Sequence, residues 1–193
     1  MVYSIISKNM NVYVVLEYKE WQAAKHAPYG SQLFIEPECK SEVFNWLTDQ
    51  VIHRLENIVH TTVHPVSAFM RKEDALVATQ CARRKKRVLC RVRVNPCDIV
   101  PYNDHDFVHV LNSFGNNLHS FLSISEAEYH THHDASKDMC IASYERMFDL
   151  QMPRETRWTG PCKLCCFVPH LTRAMIRRAA VYRGMKRLRK KKL

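Results

Sequence analysis

Two short stretches hold the side chains best suited to chemistry. In "GPCKLCCFVPH" (160–170), Cys162 and Cys165 have the C-x2-C spacing of half a zinc knuckle, with His170 close behind. A structural zinc site takes four nitrogen or sulfur ligands, and the chain has no second C-x2-C. The other donors would have to come from His130, His132, His133, Cys140 or His170. The competing reading is a buried strand, because free cysteine packs as a small hydrophobe. A knuckle must also turn where this apolar run continues straight. The strand is the preferred reading, with zinc at Cys162 and Cys165 as the lesser alternative. A thioredoxin-like redox pair has less support, since no helix start follows the second cysteine.

The second stretch is "YNDHDFVHVLN" (102–112). It sets Asp104, His105, Asp106 and His109 at a helix start, with His105 and His109 on one face at i, i+4. Carboxylate beside imidazole is an acid/base or metal pair, although helix capping by Asp104 accounts for half of it. "HTTVHPVS" places His60 beside hydroxyls at the entry to a strand, a position that can floor a cleft. In "SYERMFDL", Tyr144 and Phe148 read as core. Glu145 and Asp149 read as a solvated face on which a catalytic carboxylate could sit. The chain has no Walker loop, G-x-G-x-x-G, G-x-S-x-G or H-E-x-x-H, so the enzyme classes built on those motifs lose support.

The charge distribution is more specific. The net charge is +10, yet all 19 acidic residues lie at or before Glu155, and 12 of the 29 Lys and Arg follow it. A near-neutral body thus carries a basic end, an asymmetry that points to a polyanion. Arg83, Arg84, Lys85, Lys86 and Arg87 lead into an alternating strand whose outer face bears Arg91 and Arg93. Toward the C-terminus follow Arg173, Arg177, Arg178, Arg183, Lys186, Arg187 and Arg189. Such residues on a rigid scaffold suit phosphate contacts. A solvated surface fits one isolated run well and fits 12 basic residues with no acid over 38 residues less well. No base-reading module is visible. The partners expected are nucleic acid or an acidic protein surface.

The elements that would hold these residues follow from periodicity. "NVYVVL" is a short β-branched strand and "EYKEWQAAKH" a helix. "KSEVFNWLTDQVIHRLENIV" is the clearest helix, through Phe44, Leu47, Val51 and Leu55. "HPVSAFM" is a strand entered through Pro65, and "KEDALVATQCARR" a helix. In "KRVLCRVRV", Val88, Cys90, Val92 and Val94 alternate with Arg87, Arg91 and Arg93, as a half-exposed strand requires. "DHDFVHVLNSF" and "MCIASYERMFDL" are helical, "HTHHDASKD" a loop or frayed helix, "CKLCCFV" a strand and "LTRAMIRRAA" a helix. The expected class is α+β: one domain over 1–183 with a mixed sheet packed by several helices, then a mobile basic tail over 184–193. No apolar run approaches the ~20 residues of a bilayer span, and the stretch 1–21 shows no cleavable pattern, so no export signal is expected. A cytoplasmic protein with reduced thiols is expected.

The blocks "VYVVLEYKEWQAA", "VFNWLTDQ", "PVSAF", "VPYNDHDFVHVLN" and "SYERMFDL", in that order, resemble an uncharacterised family of small stand-alone bacterial and phage proteins of about this length. The resemblance runs over about 11–182 and implies fold and host range, with no activity to carry over. The chain departs from that family at Ser67, where an aromatic is expected, and at Cys165 and Cys166, which replace a more polar pair. The leading functional expectation is nucleic-acid binding, acting on nucleic acid or on a host complex that bears it. No cofactor is expected under that reading. At the level of fold the chain is also similar to ADP-ribosyltransferases. That likeness implies an NAD-using enzyme with Tyr13, His60, Ser67 and Glu145 to test, and His105 as a further acid/base candidate. A third expectation is an inhibitor that works purely by protein contact.

Overall fold

A computed structural model describes residues 9–33, 41–55, 63–81, 85–155, 163–183 and 186–187. They form a single α+β unit around one seven-stranded sheet. The strands are β1 (Met10–Glu17), β2 (Val66–Phe69), β3 (Lys86–Val94), β4 (Val100–Asn103), β5 (Leu164–Val168), β6 (Ile176–Arg183) and β7 (Lys186–Arg187), in the order β4-β5-β2-β1-β3-β6-β7. Every ladder is antiparallel, so the sheet is not of the mixed kind expected. The helices are α1 (Tyr18–His26), α2 (Ser41–Arg54), α3 (Lys72–Cys81), α4 (Asp104–Asn116), α5 (Glu126–Thr131) and α6 (Lys137–Ser143). None among the described residues is long and apolar enough to cross a membrane.

Alternation along the strands builds two cores on opposite faces of the sheet. On the first face Val12, Val14 and Leu16 pack with Val88, Cys90, Val92, Cys166 and Val168, under Trp21 and Ala24 of α1. On the second face, at the β4–β5 end, Val100, Tyr102, Cys165 and Phe167 meet Val43, Leu47 and Val51 of α2 and Val110 and Phe114 of α4. Farther along this face α3 packs against β1, β2, β3 and β6. β2 and β3 run parallel with β1 between them, so α3 is the crossover such strands need. Beneath it Leu89, on the face opposite Val88 and Cys90, is buried along with Ala75 and Thr79.

Several sequence expectations change in the structure. The stretch read as a helix in "LTRAMIRRAA" is a 3₁₀ turn, Arg173–Met175, leading into strand β6. The helix propensity of its Ala, Arg and Met residues is overridden by a full antiparallel ladder on β3, which also buries one side of Ile176, Ala179 and Val181. The expected tail begins as a hairpin, with Lys186 and Arg187 paired back onto Arg183 and Tyr182. α4 is capped by Asn103, whose Oδ1 accepts from the N–H groups of His105 and Asp106 at 3.0 and 3.5 Å, and not by Asp104. An amide one residue earlier fills the same role.

Candidate nucleic-acid interface

The β3–β6 ladder brings together the two basic segments that lie about 85 residues apart in sequence. Arg91 stands directly opposite Arg178, and Lys86 opposite Arg183. Between Arg91 and Val92 the register shifts, which makes Arg177 the extra residue of a bulge and leaves Arg177 and Arg178 both exposed. The Arg91–Arg178 row continues across the sheet: Tyr13 faces Arg91 from β1, and Phe69 faces Tyr13 from β2. One pleat further along β3, Arg93 faces Asn11. Phe69, Tyr13, Arg91, Arg178, Asn11 and Arg93 are on the second face, next to the row Val15–Leu89–Ala180 that α3 overlies, whereas Lys86 and Arg183 share the face of Val88 and Cys90.

The basic residues fall into two groups. Lys85 and Arg87 both reach Glu17, at 3.2 and 3.6 Å, and the bond from Lys85 is the main cause that holds this carboxyl below its ordinary range. Lys86 lies 5.0 Å from the Tyr18 ring centroid. Arg173 donates to the Ala27 carbonyl at 3.0 Å, tying the 3₁₀ turn to the end of α1. These four side chains make contacts within the fold. Arg91, Arg93, Arg177, Arg178 and Arg183 make no hydrogen bond or ion pair with any other described residue, and all five are exposed. Arg83, Arg84 and Arg189, and the side chains of Lys186 and Arg187, lie outside what the structure describes.

The candidate catalytic residues are spread across the molecule. Tyr13 and Ser67 are on one face of neighbouring strands. The Ser67 hydroxyl is 2.5 Å from the phenol of Tyr102. Burial pushes that phenol well above its ordinary range, so two neutral hydroxyls meet and neither is a base for the other. Glu145 sits 3.4 Å from Arg54, whose guanidinium also stacks on Phe148 at 4.0 Å. His105 is half exposed, its Nδ1 4.0 Å from Asp106. No hydrogen bond among the described residues joins any two of Tyr13, Ser67, His105 and Glu145, and His60 lies outside those residues.

Asp106 and His109 have structural partners. Asp106 forms a 2.7 Å ion pair with Arg154, both side chains being nearly inaccessible. Arg154 also donates to the carbonyls of Arg146, Asp149 and Met152, which clamps the turn after Phe148 onto α4. His109 Nε2 is 3.2 Å from the Ser120 carbonyl. The Ser120 hydroxyl is also 3.2 Å from the same nitrogen, so both polar groups of Ser120 hold this ring against the loop after α4.

The cysteine stretch is a buried strand where the structure describes it. Cys165 and Cys166 are fully buried in β5, and burial pushes the Cys166 thiol to about 12 and that of Cys165 higher still. Thiolate is the metal-binding form, and Cys162 lies outside the described residues. Among the described residues no group of three His, Cys, Asp or Glu is placed to hold a metal ion.

The sequence pattern revealed the arginines but not the row they complete. Its signal was the alternation of β3, which puts Arg91 and Arg93 on one face. The strand character of β6, and hence the partner row from Tyr13 to Arg178, had no clear period of its own. Compared with family models, curated proteins and solved structures, the chain matches none.

Proposed function

We propose that the protein binds nucleic acid through the phosphate backbone, using the exposed arginines of β3 and β6. The observation that supports this most is the direct pairing of Arg91 with Arg178 across an antiparallel ladder. Like charges opposite one another in a sheet destabilise it, by about 0.2–1 kcal/mol on the usual scale of cross-strand pairs. By contrast, Lys85 and Arg87 pair with Glu17, Lys86 lies over the Tyr18 ring, and Arg173 donates to a carbonyl. Here Arg91, Arg93, Arg177 and Arg178 gather at one end of the β3–β6 ladder, with no ion pair to any described acid. A bound phosphate backbone supplies the missing charge and releases counterions on binding. The bulge at Arg177 sets two adjacent guanidiniums outward, and a guanidinium matches phosphate oxygens in bidentate geometry. A bacterial or phage setting is implied only by the family resemblance.

The test is a salt titration of binding to labelled DNA and RNA, with the intact protein compared to Arg91→Ala, Arg178→Ala and the double variant. The expected result is a linear fall of log affinity with log salt, and a slope that shrinks by about 1 for each arginine removed. Failure of the intact protein to bind either nucleic acid at low salt overturns the proposal.

A further inference from the structure

We infer that the ligand is single-stranded nucleic acid, held in a shallow trough on the second face of the sheet; this rests on the phosphate-binding reading above. The trough floor is the row Phe69–Tyr13–Arg91–Arg178, running across β2, β1, β3 and β6, with Asn11 and Arg93 as a second row beside it. Adjacent strands are about 4.8 Å apart, so the row is about 14 Å long, and the two rows together are about 7 Å wide. One long side is bounded by α3, which covers the neighbouring row at Leu89. A duplex is read by a helix or a two-stranded ribbon that enters its groove. Among the described residues this floor is sheet surface beside a helix wall, and the short β7 pairs with β6 only at Tyr182 and Arg183, away from it.

The chemistry along the row changes from one end to the other. Arg91, Arg93 and Arg178 are exposed cations at one end. Tyr13, next in line, is partly exposed, and its phenol makes no hydrogen bond to any described residue. A phenol ring beside a stripe of guanidiniums is the pairing that single-strand binders use, the ring stacking on a base while the arginines follow the backbone. Stacking needs an unpaired base, which a duplex does not offer. Phe69 is largely taken up by packing against the second core, so it supports the Tyr13 ring from β2 and leaves Tyr13 as the stacking surface.

The experiment measures binding of the full chain to four probes at fixed, near-physiological salt: a 20-nucleotide mixed-sequence DNA single strand, the same sequence as RNA, the corresponding DNA duplex, and heparin as a polyanion without bases. Wild type, Tyr13→Ala, Tyr13→Phe and Arg91→Ala/Arg178→Ala are compared, with folding checked by circular dichroism. Expected is at least tenfold tighter binding of the single strands than of the duplex. Tyr13→Ala should weaken single-strand binding roughly 5- to 100-fold and leave heparin unchanged, whereas Tyr13→Phe should bind as wild type. The arginine pair should weaken all four. DNA and RNA arms that differ decide which strand is preferred. Equal affinity for duplex and single strand, or a folded Tyr13→Ala protein that binds single strands as wild type does, overturns the single-strand inference while leaving phosphate binding in place. If only heparin binds, or nothing binds, both readings fall. The wild-type preference needs no variant, so an unfolded Tyr13→Ala protein does not block the test.

Discussion

Asp106 and Arg154 are 4% exposed or less and 2.7 Å apart, and Arg154 also bonds three carbonyls of the turn it holds. Removing one partner of such a pair leaves a buried charge uncompensated, which is strongly destabilising. Arg154→Met should therefore lower unfolding stability by about 3–5 kcal/mol in urea titration. Asp106→Asn added to it should restore part of the loss, since the stranded carboxylate is then gone. A titrating residue offers a second check. Partial burial acts to raise the Glu128 carboxyl, but the Ile124 N–H at 3.1 Å and the Arg146 guanidinium at 2.7 Å prevail and hold it below its ordinary range. Because the folded value lies below the unfolded one, the stability this group adds is complete above the unfolded value of about pH 4.3. It is lost as pH falls from there through the lowered folded value. Glu128→Gln should flatten the acid limb of the stability-versus-pH curve and leave the neutral region almost level with its own plateau.

The β3–β6 ladder can be tested as an element. If Arg91 and Arg178 repel each other in the free protein, Arg178→Glu replaces the repulsion with an attractive cross-strand pair. That variant should melt about 1–4 °C above wild type and at the same time lose nucleic-acid affinity. A purely structural role for Arg178 gives the opposite sign in the melting experiment. The same ladder shows what a local pattern can and cannot convey. β3 alternates apolar and basic residues from Cys90 to Val94, so the exposed face that carries Arg91 and Arg93 is legible from the amino-acid sequence. β6 has two consecutive arginines at a bulge and two consecutive alanines, which breaks the period of two and mimics a helical composition. Only its pairing with β3 makes it a strand. β5 is the reverse case: five residues of apolar and sulfur side chains read as a buried strand, and Cys165 and Cys166 are indeed fully buried there.

For the whole molecule, the charge asymmetry predicts coupling between folding and ligand. Anything that binds the native state and not the unfolded chain raises its stability by mass action. Addition of the single-stranded oligonucleotide at low salt should raise the melting temperature of wild type, by an amount that shrinks as salt is added. Arg91→Ala/Arg178→Ala should show little of this rise. Two separate cores on opposite sheet faces support that measurement, because the exposed arginines belong to neither and can be replaced without opening a cavity.

The α+β class, most of the helices, the buried strand at "LCCFV" and the gathering of uncompensated basic charge toward one end all follow from the amino-acid sequence. They rest on local periodicity and on composition, both of which are properties of short windows of chain. Which charges are spoken for is settled only by long-range packing. Glu17 lies 68 residues before Lys85, and Ala27 lies 146 before Arg173, yet each neutralises or tethers its partner. Packing likewise sets Arg91 against Arg178 and places Tyr13 beside them. Cross-strand register depends on long-range pairing across the sheet, and a one-dimensional pattern does not contain it.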